Sequence, residues 1–522
     1  MQSFYDVIVI GGGGAGLCAA IAAREQGASV LLISKTAPGK ANCTAFAGGG
    51  FSFAGPGTAW QSHRDKTREI GRQINNPELL DLYCQEGPLA VLNLQQYGMR
   101  MKVHANGASV SSYAPNSMVG GMGMTLPLLQ ACQEKGVELL TGYTVFEILL
   151  QENCVSGVAL LNLQNGQNQV LHCASVVVAT GGGGRTYGRT NNPLTTTGDG
   201  YHLLYELGLP FRDMEFVQFY PMGLAEEALP MWFIDLGVID DVPFTDHSGD
   251  EFLKNLLLSW GIASGREGNL YARDRTSIAI AKKWQEGDAP LLHLEKLTDS
   301  QWQRRYRGIL KLNRAEHDFT KKPIRIRPLV HYMSGGVVIN TECETGIDGL
   351  YACGEVTGGI DGANRIGGNA LTNISYFGLK AGKNAGNYAK EHPECVTNCA
   401  KGGKPPSIAT GSGRLHPTGL RRKLNQTMDT LAGPLRSAAG LQEAMSVIAD
   451  LQLQLADAAT DTPDKLKEAI ELQSMLTTAK LVTAGAYERK ESRGVHFRSD
   501  YPTEDPAWQK PILQTKDKGI LR

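Results

Sequence analysis

The N-terminal segment of the chain combines an apolar strand pattern, a glycine-rich turn and a small-residue helix pattern. It reads YDVIVIGGGGAGLCAAIAAREQGASVLLISK, in which residues 7–10 predict a buried strand, 17–26 a helix and 29–33 a second, parallel strand. The turn between them has the spacing GxGxxG. Its glycines allow a tight turn, approach of the backbone to a pyrophosphate, and close packing of the helix on the strand. The segment therefore predicts a dinucleotide-binding βαβ unit with the phosphates at the start of the helix.

Two later stretches show the same passage from an apolar strand into glycine. They are SVVVATGGGG at 175–184 and GLYACGEVTGG at 349–359. Ligands of doubly wound sheets bind outside the carboxyl ends of the strands. We therefore expect the strand exits near Gly11, Gly181 and Gly354 to converge on one extended ligand.

The end of the second strand helps to choose the dinucleotide. It reads Ser34-Lys35, whereas nicotinamide sites usually have an acid here for the ribose hydroxyls. Glu355, after the third exit, could instead accept a hydrogen bond from a ribitol or ribose hydroxyl, the alternative being a surface acid. The pattern favours FAD.

Composition narrows the class of protein. The chain has 522 residues, 42% hydrophobic and 20% charged, with 51 Lys and Arg against 52 Asp and Glu, for a net charge of -1. This length predicts several domains, and the charge balance provides no general attraction to nucleic acid or to an anionic membrane.

With no apolar run of roughly 20 residues and no signal-peptide pattern, we expect a cytoplasmic protein without direct membrane insertion, able to join a membrane complex only through a partner. Ten cysteines without a CxxC pair, and with only Cys395 and Cys399 closely spaced, predict no metal site.

Several long motifs carry a resemblance to a known family. They are VIVIGGGGAGL, ATGGGGRTY, TTTGDGYHLLYELGLPFRDMEFVQFYP, HYMSGGVVIN, GLYACGEVTGGIDGANRIGGNALTN and ERKESRGVHFRSDYP. Together they resemble the flavoprotein subunit family of succinate dehydrogenase, fumarate reductase and L-aspartate oxidase, nearly from end to end.

The resemblance implies an α/β fold with a Rossmann-like FAD-binding domain at 1–220 and 330–400. An α+β capping domain at 221–329 interrupts it, and a C-terminal helical domain at 414–522 follows. The Gly, Pro and Ser content of 401–413 predicts a linker. Within the last domain, spacings of 3 and 4 predict a helix that buries one face, formed by Leu441, Met445, Ile448, Leu451 and Leu455.

The same resemblance implies an FAD site drawn from many segments. The residues expected to contact FAD are Gly11, Gly13, Gly14, Ala15, Gly16, Ser34, Lys35, Thr44, Gly48, Gly49, Val145, Ala179, Thr180, Gly181, Asp199, Gly354, Glu355, Asn369, Ala370 and Leu371. Family members with covalent FAD have a histidine where this chain has Cys43, so we expect non-covalent FAD.

Two residues match the substrate-binding positions of the family. Arg365, in the GANR motif, corresponds to the arginine that clamps a substrate carboxylate, a role suited to a permanently charged planar guanidinium. The alternative is an arginine that only pairs with an acid to hold its loop. His331, in HYMSGG, matches a substrate-binding histidine. In contrast, QFYPM replaces QFHPT, with Tyr220 in the position of a histidine and Met222 in that of a threonine.

The expected proton donor is missing from its segment. The family has an ARGEGG-like stretch whose arginine is expected to shuttle the proton, but LGVIDDVPFTDHSGDEFL contains no arginine. Arg266 and Tyr220 are the candidate replacements, and general acid catalysis contributes roughly 10² to 10⁴-fold. Plain succinate or fumarate is therefore an unexpected substrate.

These features predict an FAD-dependent oxidoreductase that exchanges a hydride between flavin N5 and a carbon of a carboxylate-bearing substrate. Two alternatives stay open: a true succinate, fumarate or aspartate enzyme with a relocated proton donor, and a flavin electron-transfer subunit with an altered pocket. The electrons need an outside route. An iron-sulfur partner protein is the first expectation, with a quinone-linked complex or dioxygen as alternatives.

Overall fold

The computed structural model describes residues 4–111, 119–395 and 410–521. Most of the expected linker, 401–409, and Cys399 lie outside these ranges. The helices are α1 (Gly14–Glu25), α2 (Trp60–Ile70), α3 (Pro77–Asn93), α4 (Met122–Glu134), α5 (Asp199–Glu206), α6 (Phe252–Ser259), α7 (Gly265–Tyr271), α8 (Arg273–Gln285), α9 (Asp299–Gln301), α10 (Asn369–Glu391), α11 (Pro417–Leu431), α12 (Ala438–Leu455) and α13 (Pro463–Glu488).

The strands are β1 (Phe4–Ile10), β2 (Val30–Ser34), β3 (Gly50–Ser52), β4 (Met101–His104), β5 (Gly107–Val110), β6 (Glu138–Thr141), β7 (Tyr143–Gln151), β8 (Cys154–Asn162), β9 (Asn168–Val178), β10 (Phe211–Arg212), β11 (Val217–Tyr220), β12 (Phe244–Thr245), β13 (Leu291–Leu292), β14 (Ile324–Arg325), β15 (Leu329–Met333), β16 (Gly336–Val337), β17 (Leu350–Ala352), β18 (Leu513–Thr515) and β19 (Gly519–Leu521).

A seven-stranded sheet forms the centre of the fold, in the order β6-β2-β1-β9-β8-β7, with β17 also paired to β9. The strands β6, β2, β1, β9 and β17 run parallel, and β7 and β8 add an antiparallel extension. Helix α1 packs against α10 over this sheet. The contact is close because Gly382 faces Ala19, and a Cβ on Gly382 would lie 2.0 Å from the Ala19 carbonyl oxygen.

The parallel strands end at one edge of the sheet. Ile10 is in register with Ile33 of β2 and with Val178 of β9, and Ala352 of β17 is in register with Val178. The glycine-rich exits that follow therefore start side by side. That the exits converge on one extended ligand stays a prediction.

Residues 220–329 contain a hydrophobic cluster of their own, separate from the core around the large sheet. It surrounds a three-stranded antiparallel sheet, β12-β13-β14, together with α6, α7 and α8. Buried members include Phe244, Leu292 and Ile324. The two strands that flank this region, β11 and β15, pair antiparallel and so return the chain to the large sheet.

The C-terminal region packs three helices, α11, α12 and α13, on one another, and α13 also packs against α5. On α12, Leu441, Ile448 and Leu451 are buried, whereas Met445 and Leu455 are half-buried. The predicted apolar face is thus confirmed. None of the described helices is long and apolar enough to cross a membrane.

The three helices of the C-terminal region are followed by a hairpin, β18-β19, which the prediction of a helical domain did not include. Strand β18 pairs antiparallel with β10, with Gln514 opposite Phe211, because β10 would otherwise offer unpaired backbone groups at a sheet edge. Nearby, fully buried Arg489 forms ion pairs with Glu215 at 2.7 Å and Glu491 at 3.0 Å. The ERKESRG motif thereby connects the C-terminal region to the segment before β11.

Candidate active site

Two adjoining cavities lie at the carboxyl edge of the large sheet. The nucleotide cleft, with a volume of about 130 Å³, contains these residues predicted to contact FAD: Gly11, Gly13, Gly14, Ala15, Ser34, Lys35, Thr44, Val145, Ala179, Thr180, Gly181, Asp199 and Glu355. The larger cavity, of about 660 Å³, is lined by Thr44, Gly48, Gly49, Glu355, Ala370 and Leu371, and also by Tyr220, His331 and Arg365. Gly16, Gly354 and Asn369 line neither.

The two cavities share part of their walls: Cys43, Thr44, Glu355 and Ile374 line both. Glu355 Oε1 accepts a hydrogen bond from the backbone N–H of Met333 at 3.1 Å. Burial raises the pKa of Glu355 to about 7, so near neutral pH the group can accept or donate a hydrogen bond. A single long ligand with a polar middle section can therefore cross from one cavity into the other.

Open glycines that border the two cavities fit a bound dinucleotide. A Cβ on Gly48 or Gly181 would meet no protein atom within 4 Å, although both residues line a cavity. Their missing side chains thus leave room for a ligand. In contrast, a Cβ on Gly16 would lie 1.9 Å from the Gly11 carbonyl oxygen, so Gly16 serves the close packing of α1 on β1.

The start of α1 is suited to a phosphate. Gly13 caps the helix without a side-chain hydrogen bond, and the first turn contains no acid. The N–H of Gly14 donates to Thr44 Oγ1 at 3.1 Å, which ties Thr44 to this terminus. Free N–H groups at a helix start bind anions, so the pyrophosphate of FAD fits here.

Lys35 is held by acids of the protein. Its Nζ lies 2.8 Å from Asp199 and 3.0 Å from Glu471, and it donates to Thr197 Oγ1 at 2.8 Å. Lys35 and Asp199 line the nucleotide cleft as an ion pair, and Glu471 connects that pair to helix α13.

Substitution of Gly48 by valine is expected to raise the Kd for FAD by about tenfold or more, a loss of about 1.4 kcal/mol of binding free energy. The added Cβ has no protein atom within 4 Å, and the side chain takes ligand space. Gly411, also exposed and open but outside both cavities, provides the matched control Gly411→Val. Fluorescence titration of the apoprotein with FAD measures the Kd of each variant. Equal affinities of the two variants would show that Gly48 does not border the bound cofactor.

Arg365 is buried against the two strands that frame the larger cavity. Its Nη2 donates to Gln218 Oε1 on β11 at 3.1 Å, and its guanidinium lies over the Tyr332 ring on β15 at 4.1 Å. Gln218 also donates to Asn364 Oδ1, and the Tyr332 hydroxyl donates to Asp361, both at 3.0 Å. Arg365 Nε is buried and has no hydrogen-bond partner in the described structure. The guanidinium is thus fixed in orientation, and only one of its five N–H donors is engaged by a described protein group, so others remain for a ligand.

Backbone hydrogen bonds from two other segments hold the GANR loop. The N–H of Ala363 donates to Gly71 O, and the N–H of Val495 donates to Ala363 O, each at 2.9 Å. Gly494, of the ESRG motif, packs so closely that a Cβ would lie 2.1 Å from Ala363 O. Two distant segments therefore set the position of the loop that carries Arg365.

The structure contradicts Arg266 as the replacement proton donor. Its side chain is more than half exposed, lines neither cavity, and faces Asp240 with an Nε to Oδ2 distance of 3.8 Å. The reason is that 265–271 form helix α7, whose N-terminus is held by Asp240 through the N–H of Gly265 at 2.6 Å. The loop therefore does not fold back into the site.

Tyr220 lines the larger cavity, but its hydroxyl is already engaged. It donates to Asn269 Oδ1 at 2.8 Å and accepts from the N–H of Leu236 at 3.3 Å. Burial, together with the charge of Asp235, raises the pKa of Tyr220 well above its ordinary value. Tyr220, the second candidate replacement for the proton donor, is thus poorly suited to give a proton near neutral pH. Its ring remains a wall of the cavity.

Arg273 is the site residue that sequence reasoning missed. It begins α8, is buried, lines the larger cavity, and lies with its guanidinium 4.9 Å from the Tyr220 ring centre. Its Nε donates to Asn269 O at 2.7 Å, while Nη1 and Nη2 have no hydrogen-bond partner among the residues that the structure describes. Burial, and the positive charge of Arg365, lower the pKa of Arg273 to about 10. Nothing in the local pattern YARDRTS distinguishes this arginine from a surface residue.

His331 lines the same cavity as Arg365 and Arg273. Its Nδ1 lies 3.2 Å from Asn191 Oδ1, and its backbone oxygen accepts from Asn192 Nδ2 at 3.1 Å. Burial lowers the pKa of His331 well below its ordinary range, and the charges of Arg273 and Arg365 lower it further. The cavity thus contains two buried cations beside a neutral imidazole.

Comparison with known proteins agrees with this geometry. A family model described as FAD binding domain matches residues 6–371, and one described as fumarate reductase flavoprotein C-term matches 421–519. An uncharacterised FAD-dependent oxidoreductase of Methanocaldococcus jannaschii is 30% identical over 97% of this chain and 96% of its own. A subunit of the fumarate reductase (CoM/CoB) of Methanothermobacter marburgensis is 29% identical over 97% of this chain and 96% of its own.

Solved structures give the same result. A chain of E. coli quinol fumarate reductase superposes with a TM-score of 0.86 at 26% identity, covering 100% of this chain and 96% of that one. A chain of the Mycobacterium smegmatis Sdh1 complex gives 0.83 at 26% identity, covering 99% and 93%. The chain therefore belongs to the fumarate reductase and succinate dehydrogenase flavoprotein family and is an FAD-dependent oxidoreductase.

Proposed function

We propose that the protein interconverts an unsaturated carboxylate and its saturated counterpart. The observation that carries the proposal is the presence of two buried arginines, Arg365 and Arg273, in the wall of a cavity that adjoins the nucleotide cleft. Both have donor nitrogens without protein partners in the described structure. A carboxylate fits such a pair, because buried guanidinium groups are costly unless an anion compensates them.

The two arginines differ in what holds them, which supports different roles. Arg365 is fixed by Gln218 and Tyr332, as a residue that orients a carboxylate should be. Arg273 donates a hydrogen bond only through its Nε and lies over the Tyr220 ring, and its pKa is lowered to about 10. A lowered pKa makes a cation a better acid, so Arg273 is the residue we assign to hand a proton to the substrate carbon.

FAD, when bound, supplies hydride exchange at its N5 position. The residues around the cleft support a non-covalent complex. Cys43 Sγ lies 3.5 Å from Thr196 Oγ1, and burial, with the charge of Glu355, raises the pKa of the Cys43 thiol to about 12. A protonated thiol is a poor nucleophile, so Cys43 is unsuited to attack the cofactor.

Electrons must enter or leave through another molecule, and a partner protein is the source we propose. Several relatives are named as subunits of larger enzymes, among them the Methanothermobacter protein and the flavoprotein subunit of E. coli fumarate reductase. An iron-sulfur protein is the kind of partner that suits a two-electron centre of this type.

Anaerobic reoxidation tests the proposal directly. Photoreduced holoprotein is mixed with (E)-but-2-enoate, fumarate or (E)-3-phenylacrylate, and the return of oxidised flavin absorbance is followed by stopped flow. We expect at least one of these acids to reoxidise the flavin, and the corresponding methyl esters to fail because they carry no charge for Arg365. Reoxidation by none of them, with flavin still bound, would contradict the proposal and favour an electron-transfer subunit.

A further inference from the structure

We propose that the substrate is a monocarboxylate with an aromatic ring on the carbon remote from the carboxylate, that is, a 3-arylacrylate or the matching 3-arylpropionate. This inference rests on the proposed function and specifies its substrate class. It is carried by two neighbouring parts of the wall of the larger cavity: a cationic end, formed by Arg365 and Arg273, and an aromatic end that begins at Tyr220, whose ring centre lies 4.9 Å from the Arg273 guanidinium.

The cationic end can satisfy one carboxylate. Arg365, Arg273 and His331 all line this cavity, and the charges of the two arginines lower the pKa of His331. The other cation that lines this cavity in the described structure is Lys66, which is paired with Glu69 at 3.0 Å. Cations available for a second substrate carboxylate are therefore lacking in the described part of the wall.

The aromatic end begins at Tyr220. Its ring centre lies 4.4 Å from that of Phe233 and 5.4 Å from that of His331, and the rings of Phe233 and His331 are 5.6 Å apart. Trp232 stacks on Phe233 at 5.4 Å and so supports it. The ring of Phe46 meets that of Trp232 edge-on, with ring centres 6.2 Å apart. Tyr220, Phe233 and Phe46 all line the cavity, and together they form a pocket for a flat apolar group.

The polar groups near Tyr220 oppose a second carboxylate. The Tyr220 hydroxyl has no free donor, because it donates to Asn269. Asn269 Nδ2 in turn donates to Asp235 Oδ2 at 2.7 Å, and Asp235 lines the cavity without a cation within ion-pairing distance among the described residues. A substrate carboxylate here would lie beside this acid and be repelled. An aromatic ring has no such cost.

Reduction of a 3-arylacrylate balances within the proposed site. The C=C π bond breaks and two C–H bonds form, one from a hydride supplied by reduced FAD and one from a proton of Arg273. The substrate is reduced, FAD is oxidised, and solvent returns a proton to Arg273. In the test, a reduced viologen dye supplies the two electrons for the next turnover.

The experiment compares three acids on the holoprotein with reduced benzyl viologen: (E)-3-phenylacrylate, (E)-but-2-enoate and fumarate. We expect kcat/KM for phenylacrylate to exceed the values for but-2-enoate and fumarate by about 10- to 100-fold. The reason is that burial of an aromatic ring in a pocket that fits it contributes a preference of this size. Anaerobic titration of the oxidised flavin spectrum should give the same order of binding, independently of turnover.

Two variants test whether the aromatic end of the cavity causes the preference for phenylacrylate. Phe233→Ala should reduce the ratio of phenylacrylate to but-2-enoate kcat/KM by about tenfold. Trp260→Ala serves as control, since Trp260 is a half-buried aromatic of the same cluster that does not line the cavity. Fumarate as the best acid, but-2-enoate equal to phenylacrylate, or an unchanged ratio in Phe233→Ala would each overturn this inference while leaving the proposed function intact. Activity with none of the acids would overturn both.

Discussion

Replacement of Arg365 by leucine should raise the Kd of a carboxylate substrate by roughly 30- to 5000-fold, which corresponds to the 2 to 5 kcal/mol lost when one partner of a buried charge pair is truncated. The flavin absorbance spectrum should be retained, because the nucleotide cleft contains other residues. The loss follows from burial: Arg365 is only 5% exposed, and Gln218 and Tyr332 already fix it toward the cavity. The Kd is measured by following the oxidised flavin spectrum while substrate is added.

Two further variants test whether the loss of substrate affinity in Arg365→Leu is specific to the Arg365 guanidinium. Arg365→Lys keeps the charge but loses the planar fork and its stacking on Tyr332, so an intermediate affinity is expected. Arg266→Leu removes an arginine that is more than half exposed and outside both cavities, and it should bind substrate as the unaltered protein does. If Arg365→Leu bound substrate normally, Arg365 would be a residue that only holds its loop.

Much of the FAD-binding half could be predicted because its determinants are local in the sequence. The GxGxxG turn and its flanking strands specify α1 between β1 and β2, and the apolar runs before Gly181 and Gly354 specify β9 and β17. The parallel register then brings the glycine-rich exits together without any further information. The position of Arg365 was likewise predictable, since it lies in a long motif next to these exits.

The larger cavity was less predictable because its residues come from segments whose approach depends on tertiary structure. Arg273 begins a helix more than fifty residues after Tyr220, and only the packing of α8 against β11 brings the two together. Tyr220 was a candidate acid because the ordinary pKa of a phenol lies closer to neutrality than that of an arginine. Burial and the charge of Asp235, which only the fold reveals, raise the pKa of Tyr220 further from neutrality.

Arg273→Met should lower kcat for reduction of an unsaturated acid by roughly 10² to 10⁴-fold, the contribution of a positioned general acid. Methionine has a similar length and suits a buried position, so the change removes the proton donor with little loss of packing. Because Arg365 remains to bind the carboxylate, KM should change much less than kcat. Steady-state assays with a reduced dye separate the two constants.

The pH profile tests whether Arg273 acts as an acid. Below about pH 10 the guanidinium is protonated and can give its proton, so reduction by the unaltered protein should decline as pH rises through about 10. In Arg273→Lys the donor is an ammonium, whose pKa is ordinarily about 10.4 and falls readily when buried beside another cation. The alkaline limb should therefore move to lower pH in this variant while KM is retained. An alkaline limb at the same pH in both proteins would mean that another group gives the proton, and Arg273 would then be a second residue that binds the carboxylate.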